Sequence, residues 1–166
     1  MNDNKEKKEL IIYVAVAYGV TFLMGLLMWY GSSRNLDLSM FPNAQMFYPA
    51  AGVMLAVLCV RKKDALVPRA FYVLFIGVTL ILAAAAVISI CSPYTMVFAG
   101  GIPVSLWTLL TQVLIIGASV AGWVVLLVTK KEKRKAYGLC WNRGAASWLC
   151  IILFLAIYFL RTAVAV

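Results

Sequence analysis

The chain has 166 residues and contains no histidine. This absence removes the most frequent metal ligand and the most frequent general base of enzymes. The cysteines form no Cys-x-x-Cys pair, so no Cys/His zinc site is expected from Cys59, Cys91, Cys140 and Cys150. A serine nucleophile would need lysine as its base, yet every lysine lies outside the apolar runs. The sequence therefore predicts no catalytic residue and no metal-binding residue.

Acidic residues are also scarce, and none lies inside a long apolar run. The six carboxylates are Asp3, Glu6, Glu9, Asp37, Asp64 and Glu132. A proton-coupled transporter normally needs a carboxylate within the membrane, because that group carries the proton across. A small multidrug-type transporter is therefore a weak hypothesis for this chain.

Apolar residues, in contrast, are abundant and are arranged in long runs. They make up 64% of the chain, and the mean hydropathy is +0.95. A soluble domain is about 45–50% apolar, and a short chain cannot bury so much apolar surface in one aqueous core. A spanning helix needs about 20 residues. The sequence predicts a single-domain, all-α, polytopic transmembrane helical bundle over 1–166, with about five spans at 10–30, 44–60, 70–90, 104–128 and 148–166.

Charge is distributed unevenly over the segments between these runs. From the amino terminus onward the segments carry three, one, four, zero and six Lys or Arg residues. Because cations accumulate on the cytoplasmic side, the amino terminus is predicted to be cytoplasmic in a multi-pass protein of the cell membrane. The net charge of +9 favours contact with anionic headgroups on that side. No basic face is interleaved with aromatic residues, so a nucleic-acid partner is not expected. The outer stretch SPYTMVFAGGIP predicts a turn-rich loop.

The second run opens with polar residues and ends at three consecutive cations. Gln45 and Tyr48 precede Pro49, which is tolerated in a first helical turn. Gly52 and Ala56 have the small-xxx-small spacing that lets a second helix approach closely. Two interpretations stay open: a short packed helix with a polar interfacial cap, or a polar cavity faced by Gln45 and Tyr48 that opens to the outer side.

The fourth and fifth runs contain the remaining polar candidates. Thr108, Thr111, Gln112 and Ser119 fall roughly on one helical face, where such side chains commonly form hydrogen bonds between helices. Helix packing is the default interpretation, and a polar cavity is the alternative. Arg161 is the one charge inside an apolar run. It either extends toward the outer surface or pairs with a group that this chain does not supply.

Three stretches together resemble the amino-terminal portion of the CPBP family. They are MGLLMWYGSS in the first run, FPNAQMFYPAAGVMLAVLCVRKK in the second, and KRKAYGLCWN before the fifth. This family groups bacterial relatives of the CAAX prenyl endopeptidases with bacteriocin-processing and immunity proteins. The resemblance implies a bacterial cytoplasmic membrane location and the scaffold half of an intramembrane metalloendopeptidase. It also implies peptide or prenyl-protein processing, or bacteriocin self-immunity, with a divalent metal expected to be zinc.

The catalytic motifs of that family have no counterpart here. They are a Glu-Glu-xxx-Arg helix followed by Phe-xxx-His and His-xxx-Asn/Asp motifs, and no position of this sequence matches them. No catalytic or metal residue is therefore carried over, no cofactor is assigned to this chain, and the chain alone is predicted to be inactive. Its apolar ending, FLRTAVAV, favours a fragment or a shortened member whose partner is a missing carboxy-terminal half. The alternative is a complete small non-catalytic membrane protein that acts as an immunity or accessory subunit with another membrane subunit.

Overall fold

The computed structural model describes residues 3–92, 95–99, 101–139, 148–153 and 155–156. Four helices within these residues are long and apolar enough to cross a membrane, namely Asn4–Ser32, Met40–Val60, Arg69–Cys91 and Leu106–Val128. They correspond to the first four predicted spans, so the prediction of a largely helical chain with apolar helices of membrane-spanning length is confirmed. The fifth predicted span, 148–166, lies largely outside the described residues and stays a prediction, as does the orientation of the chain.

The first span is one continuous helix with a change of pitch in its middle. Helix α1 covers Asp3–Val14, a π-helical segment covers Ala15–Val20, and α2 covers Thr21–Ser32. A π-helical turn is wider than an α-helical one, because its hydrogen bonds reach one residue further along the chain. The Thr21 hydroxyl donates to the carbonyl oxygen of Ala17 at 2.5 Å, within this segment. The wider turn packs against the second span.

The second span is interrupted near its start. Helix α3 covers Met40–Gln45 and α4 covers Tyr48–Val60. Pro49 causes the break, since it has no N–H to donate and its ring crowds the carbonyl group of Gln45 four residues earlier. Helix α4 ends at Val60, directly before the first of the three cations. Both the proline in the first turn and the helix end at the basic residues are as predicted.

A glycine allows the first and second spans to approach closely. A Cβ atom added to Gly52 would lie 3.3 Å from the carbonyl oxygen of Tyr13 and 3.4 Å from Cβ of Val16. Ala56, one turn further along α4, is buried. The small-xxx-small prediction for Gly52 and Ala56 is therefore confirmed, and α1 is the helix that packs there.

The core lies where α2, α3, α4 and α5 (Arg69–Cys91) meet. Its buried side chains are Met24, Met40, Phe41, Ala44, Tyr48, Leu82 and Ala86. Helix α6, Leu106–Val128, packs at the edge of this core, and Thr111 is its one buried residue. Most of its apolar side chains face outward, including Val113, Ile116 and Val120. Apolar surface of this kind is suited to contact with lipid or with another membrane helix.

The stretch between α5 and α6, predicted as a turn-rich loop, forms a β-hairpin, so the prediction gave the turn and missed the paired strands. Strand β1 is Met96–Ala99, strand β2 is Ile102–Ser105, and Met96 pairs with Ser105 in antiparallel register. Gly101 has a φ of +85°, a conformation suited to a tight hairpin turn. The fourth span consequently begins at Leu106, two residues later than the predicted 104.

Long-range contacts gather the connecting segments at two opposite ends of the bundle. At the basic end, defined as residues 3–9, 61–69 and 129–139, Arg61 pairs with Glu9 and Tyr137 bonds to Asp64. This end includes the short helix α7, Lys131–Ala136. At the Asp37 end, defined as residues 33–39 and the hairpin, Asp37 bonds to Ser105. The three most basic segments of the sequence therefore lie together.

Candidate functional site

Tyr48 lies in the middle of the bundle beside a small cavity. The cavity has a volume of about 100 Å³ and lies between the π-helical segment, α4 and α5. Tyr48 and Thr79 are its polar lining residues, and the others are Val16, Val20, Ala51, Leu55, Ile76, Leu80 and Ala83. Within the described part of the chain, the buried Tyr48 hydroxyl has no hydrogen-bond partner.

Gln45 does not line this cavity. Its side-chain nitrogen donates to the sulfur of Met28 at 3.2 Å, which ties α3 to the end of α2. Of the two open interpretations, the one with a shared polar cavity would need both side chains in one space, and the break between α3 and α4 lies between them. Tyr48 faces a largely apolar space, and Gln45 makes a packing contact between helices.

The polar residues of α6 are not gathered into one site. Thr111 is fully buried and donates to the carbonyl oxygen of Trp107 at 2.7 Å, while the exposed Ser119 donates to that of Ile115 at 2.8 Å. Thr108 is half-buried and Gln112 is exposed. Arg161 lies outside the described residues.

Ser119 borders a second cavity, of about 260 Å³, between α5 and α6. Its walls are mainly aromatic and aliphatic and include Phe47, Phe71, Phe75 and Trp123. The centroids of the Phe47 and Phe75 rings are 5.4 Å apart, and the two rings pack against each other in a tilted arrangement at one wall of this cavity. Tyr48 and Ser119 therefore line different cavities, and neither cavity has the convergent polar groups of a catalytic site.

Hydroxyl groups within the spans bond to their own helices. Thr21, Thr79, Thr111 and Ser119 each donate to the carbonyl oxygen four residues earlier. Such a bond satisfies the hydroxyl locally and removes the need for a partner on another helix. These side chains make no polar path through the membrane.

Asp37 makes hydrogen bonds to three serine residues at the Asp37 end. The side chain is only 8% exposed. Its Oδ1 accepts the backbone N–H of Ser39 at 3.0 Å, and its Oδ2 accepts the hydroxyl of Ser105. The Ser89 hydroxyl lies 3.4 Å from the Asp37 carbonyl oxygen, to which it donates. Asp37 thereby joins the segment after α2, the end of α5 and strand β2.

The ionised form of Asp37 is favoured in spite of its burial. Burial by itself raises the pKa of the carboxyl group, but hydrogen bonds from Ser105 and Ser39 outweigh that effect and hold the pKa below its ordinary value. Asp37 was not among the residues predicted to be functional. The sequence did contain a signal for this residue, since Asp37 is the one acid in the two connecting segments 31–43 and 91–103.

The hairpin is fixed to the bundle and presents apolar side chains. Besides the Asp37–Ser105 bond, the backbone N–H of Leu106 donates to the carbonyl oxygen of Thr95 at 2.9 Å. Phe98 is 76% exposed and Met96 is 50% exposed. The two side chains lie two residues apart on strand β1, so both point to the same face of the hairpin.

The basic end contains two charged contacts between segments distant in sequence. Arg61 binds Glu9 through two bonds, with Nε 2.6 Å from Oε1 and Nη2 3.0 Å from Oε2. The bond to Glu9 raises the pKa of Arg61 further above its ordinary value. This bidentate pair closes the α1–α4 contact at the end opposite to Asp37.

The second contact joins Asp64 to Tyr137. The Tyr137 hydroxyl donates to Oδ2 of Asp64 at 2.7 Å, and the backbone N–H of Leu66 donates to Oδ1 at 2.8 Å. These bonds lower the pKa of Asp64, with the Tyr137 bond the larger effect. Burial, and then the bond to Asp64, raises the pKa of Tyr137. The contact draws the segment after α7 against the segment after α4.

The described residues contain no group of three or more His, Cys, Asp or Glu side chains placed to hold a metal ion. No protein-family model, curated protein or solved structure matches the chain.

Proposed function

We propose that the chain is a non-catalytic integral membrane protein, an accessory or immunity-type subunit, that binds a protein or peptide partner at the Asp37 end. One observation carries the proposal: the hairpin is held to the bundle by buried Asp37 and exposes Phe98 and Met96. Because Lys and Arg accumulate on the cytoplasmic side, the proposal places this end on the outer side.

The anchoring of the hairpin supports a recognition role. An isolated two-stranded hairpin is marginally stable in water, so it stays formed only when something holds it. A segment that only connected two helices would not need to keep this conformation. The buried charged anchor therefore supports a use for the formed hairpin. The bonds from Ser105 and Leu106 fix both the position and the register of the strands. A fixed hairpin loses little conformational entropy on binding, and its free edges can pair with an extended peptide.

The interior of the bundle supports a role without chemistry. The hydroxyls of Thr21, Thr79 and Thr111 are directed to their own helices. The chain has no histidine, and its acids Glu9 and Asp64 at the basic end are engaged in bonds between segments. These features are typical of a packed scaffold.

Photo-crosslinking in the source cells tests the binding proposal. A photoreactive residue at Phe98 of the full chain is expected to give one discrete protein adduct. The matched control at Val73, 60% exposed on α5, is expected to give lipid adducts only. Ser105→Ala combined with the probe at position 98 is expected to reduce the adduct. The same adducts from positions 98 and 73, or none from position 98, would refute the proposal.

A second candidate is the amino-terminal scaffold of a CPBP-type intramembrane endopeptidase. The three sequence stretches that resemble that family support it, and so does the outward-facing apolar surface of α6, which further catalytic helices could cover. In this case another polypeptide would supply the glutamates and histidines that hold zinc.

A peptidase assay separates the two candidates. The purified chain with Zn²⁺ is expected to leave a prenylated CAAX peptide intact, and cleavage by this chain alone would contradict both candidates. Cleavage that appears when a polypeptide carrying the Glu-Glu helix and the histidines is co-expressed would favour the scaffold candidate. A complex that forms at Phe98 without any cleavage would favour the accessory subunit.

A further inference from the structure

A cavity of about 760 Å³ lies at the basic end between the start of α5 and the end of α6. We call it the basic groove. Its charged lining residues are Lys63, Arg69, Lys130 and Lys133, together with the single acid Asp64. These residues come from two segments, 63–70 and 124–133, that are distant in the sequence, so the groove exists only in the folded bundle.

The rest of the groove wall is apolar. Val124, Val125 and Val128 line it from the last turn of α6, and Ala70 lines it from the first turn of α5. Val124 is 54% exposed and Val128 is 81% exposed. The cations therefore lie where a spanning helix ends, and the valines continue from them along the apolar surface of that helix. This order matches a phospholipid, with a charged headgroup above an acyl chain.

The positive charge of the groove is not neutralised by the described protein. No ion pair joins its four cations to an acid within the described residues, and a guanidinium nitrogen of Arg69 donates to the carbonyl oxygen of Lys62. The Asp64 carboxylate is occupied by Tyr137 and by the backbone of Leu66. The groove thus keeps a clear excess of positive charge.

A neighbouring cavity provides a contrast. It has a volume of about 590 Å³ and also contains four cations, but three acids lie among them. Two of its members, Arg61 and Glu9, form the bidentate pair. Charge is nearly balanced there, whereas it is not balanced in the basic groove. Of these two cavities, the basic groove has the electrostatics of an anion site.

We propose that the basic groove binds an anionic phospholipid, with its phosphate among Lys63, Arg69, Lys130 and Lys133 and an acyl chain along Val124 and Val128. Basic pockets between membrane helices are suited to such headgroups. The proposal goes beyond the proposed function, because the groove lies at the opposite end from the hairpin. Loss of lipid binding and loss of partner binding are therefore separate results.

Native mass spectrometry of the detergent-purified full chain tests the proposal, with phosphatidylglycerol and phosphatidylcholine as probes. The chain is expected to retain phosphatidylglycerol in preference to phosphatidylcholine. Lys130→Gln/Lys133→Gln is expected to weaken phosphatidylglycerol retention by about 25-fold, since each of these two groove cations is expected to contribute about fivefold by contact with the phosphate. Lys131→Gln/Lys135→Gln removes the same charge from the same segment, 130–135, outside the groove lining and is expected to leave retention unchanged.

A second variant blocks the groove without changing its charge. Ala70→Trp places a large side chain at the α5 wall and is expected to abolish phosphatidylglycerol retention, with the elution volume in gel filtration unchanged. Three results would overturn the proposal. They are equal weakening by the two double variants, equal retention of both lipids, and displacement of phosphatidylglycerol by an equal concentration of glycerol phosphate. The last result would identify a site for soluble anions instead.

Discussion

Replacing Gly52 by leucine should separate the first two spans. The missing side chain of Gly52 allows α4 to lie directly against the backbone of α1, because a Cβ there would already be 3.3 Å from the carbonyl oxygen of Tyr13. It would also lie 3.4 Å from Cβ of Val16 and 3.5 Å from Cδ2 of Tyr13. Favourable contacts between carbon atoms are about 3.5–4.0 Å. A leucine side chain adds three more carbons beyond that first one.

The expected cost follows from this geometry. Overpacking of a filled contact lowers the free energy of unfolding by about 1–3 kcal/mol. The two helices must also move apart at Gly52, which strains the Arg61–Glu9 pair further along the same contact. We expect a net loss of about 2 kcal/mol, equivalent to roughly a thirtyfold change in the unfolding equilibrium constant.

Reversible unfolding in mixed detergent and SDS micelles, followed by far-UV circular dichroism, measures this loss. Gly25→Leu is the matched control, because no atom lies within 4 Å of a Cβ added there. Both variants gain the same intrinsic helix propensity, roughly 1 kcal/mol at most, so their difference isolates the contact between α1 and α4. Equal unfolding curves for the two variants would refute the reasoning, and so would a Gly52 variant as stable as the wild type.

Further predictions concern the Tyr48 hydroxyl, the Asp37–Ser105 bond and the orientation of the chain. Tyr48→Phe removes a buried hydroxyl without a described partner, so the free energy of unfolding should stay the same or rise by about 1 kcal/mol; a clear loss in the same SDS titration would reveal a hidden partner. Ser105→Ala should release the hairpin at neutral pH, seen as faster proteolysis there, with unchanged cleavage counting against the anchor. Because the pKa of Asp37 is lowered in the folded chain, its contribution to the free energy of unfolding is present above the ordinary aspartate pKa. That contribution is lost as the pH falls through the lowered pKa. In Ser105→Ala the loss should begin at a higher pH, because one hydrogen bond that lowers the pKa is gone. In a cysteine-free background, a membrane-impermeant maleimide should label Ser33→Cys but not Lys63→Cys in intact cells, and the reverse pattern would invert the proposed orientation.

The spans could be predicted because lipid imposes a simple requirement on sequence. A crossing helix needs about 20 apolar residues, since its backbone groups must be satisfied internally. Local backbone chemistry was predictable for the same kind of reason. Pro49 has the same missing N–H in any fold, and Gly52 has the same missing Cβ, so both effects could be expected from residue type and spacing alone.

The polar contacts could not be predicted in the same way, because they depend on tertiary geometry. Asp37 and Ser105 are 68 residues apart, and Asp64 and Tyr137 are 73 apart. Helical spacing also could not show that the Thr111 hydroxyl bonds within its own helix. The hairpin is different, since two glycines between residues that favour strands are a recognisable local signal.

The two proposed binding surfaces lie at the ends of the bundle, for a reason rooted in the interior. The hydroxyls of Thr21, Thr79 and Ser119 are satisfied by carbonyl groups one turn earlier, so these groups need no partner on another helix. Charges, by contrast, could not be stabilised in that interior at low cost. They remain at the ends, where Asp37 anchors the hairpin and Arg61 closes the α1–α4 contact. A substitution inside the bundle should therefore act mainly on stability, whereas a substitution in the hairpin or the basic groove should alter binding and leave the bundle folded.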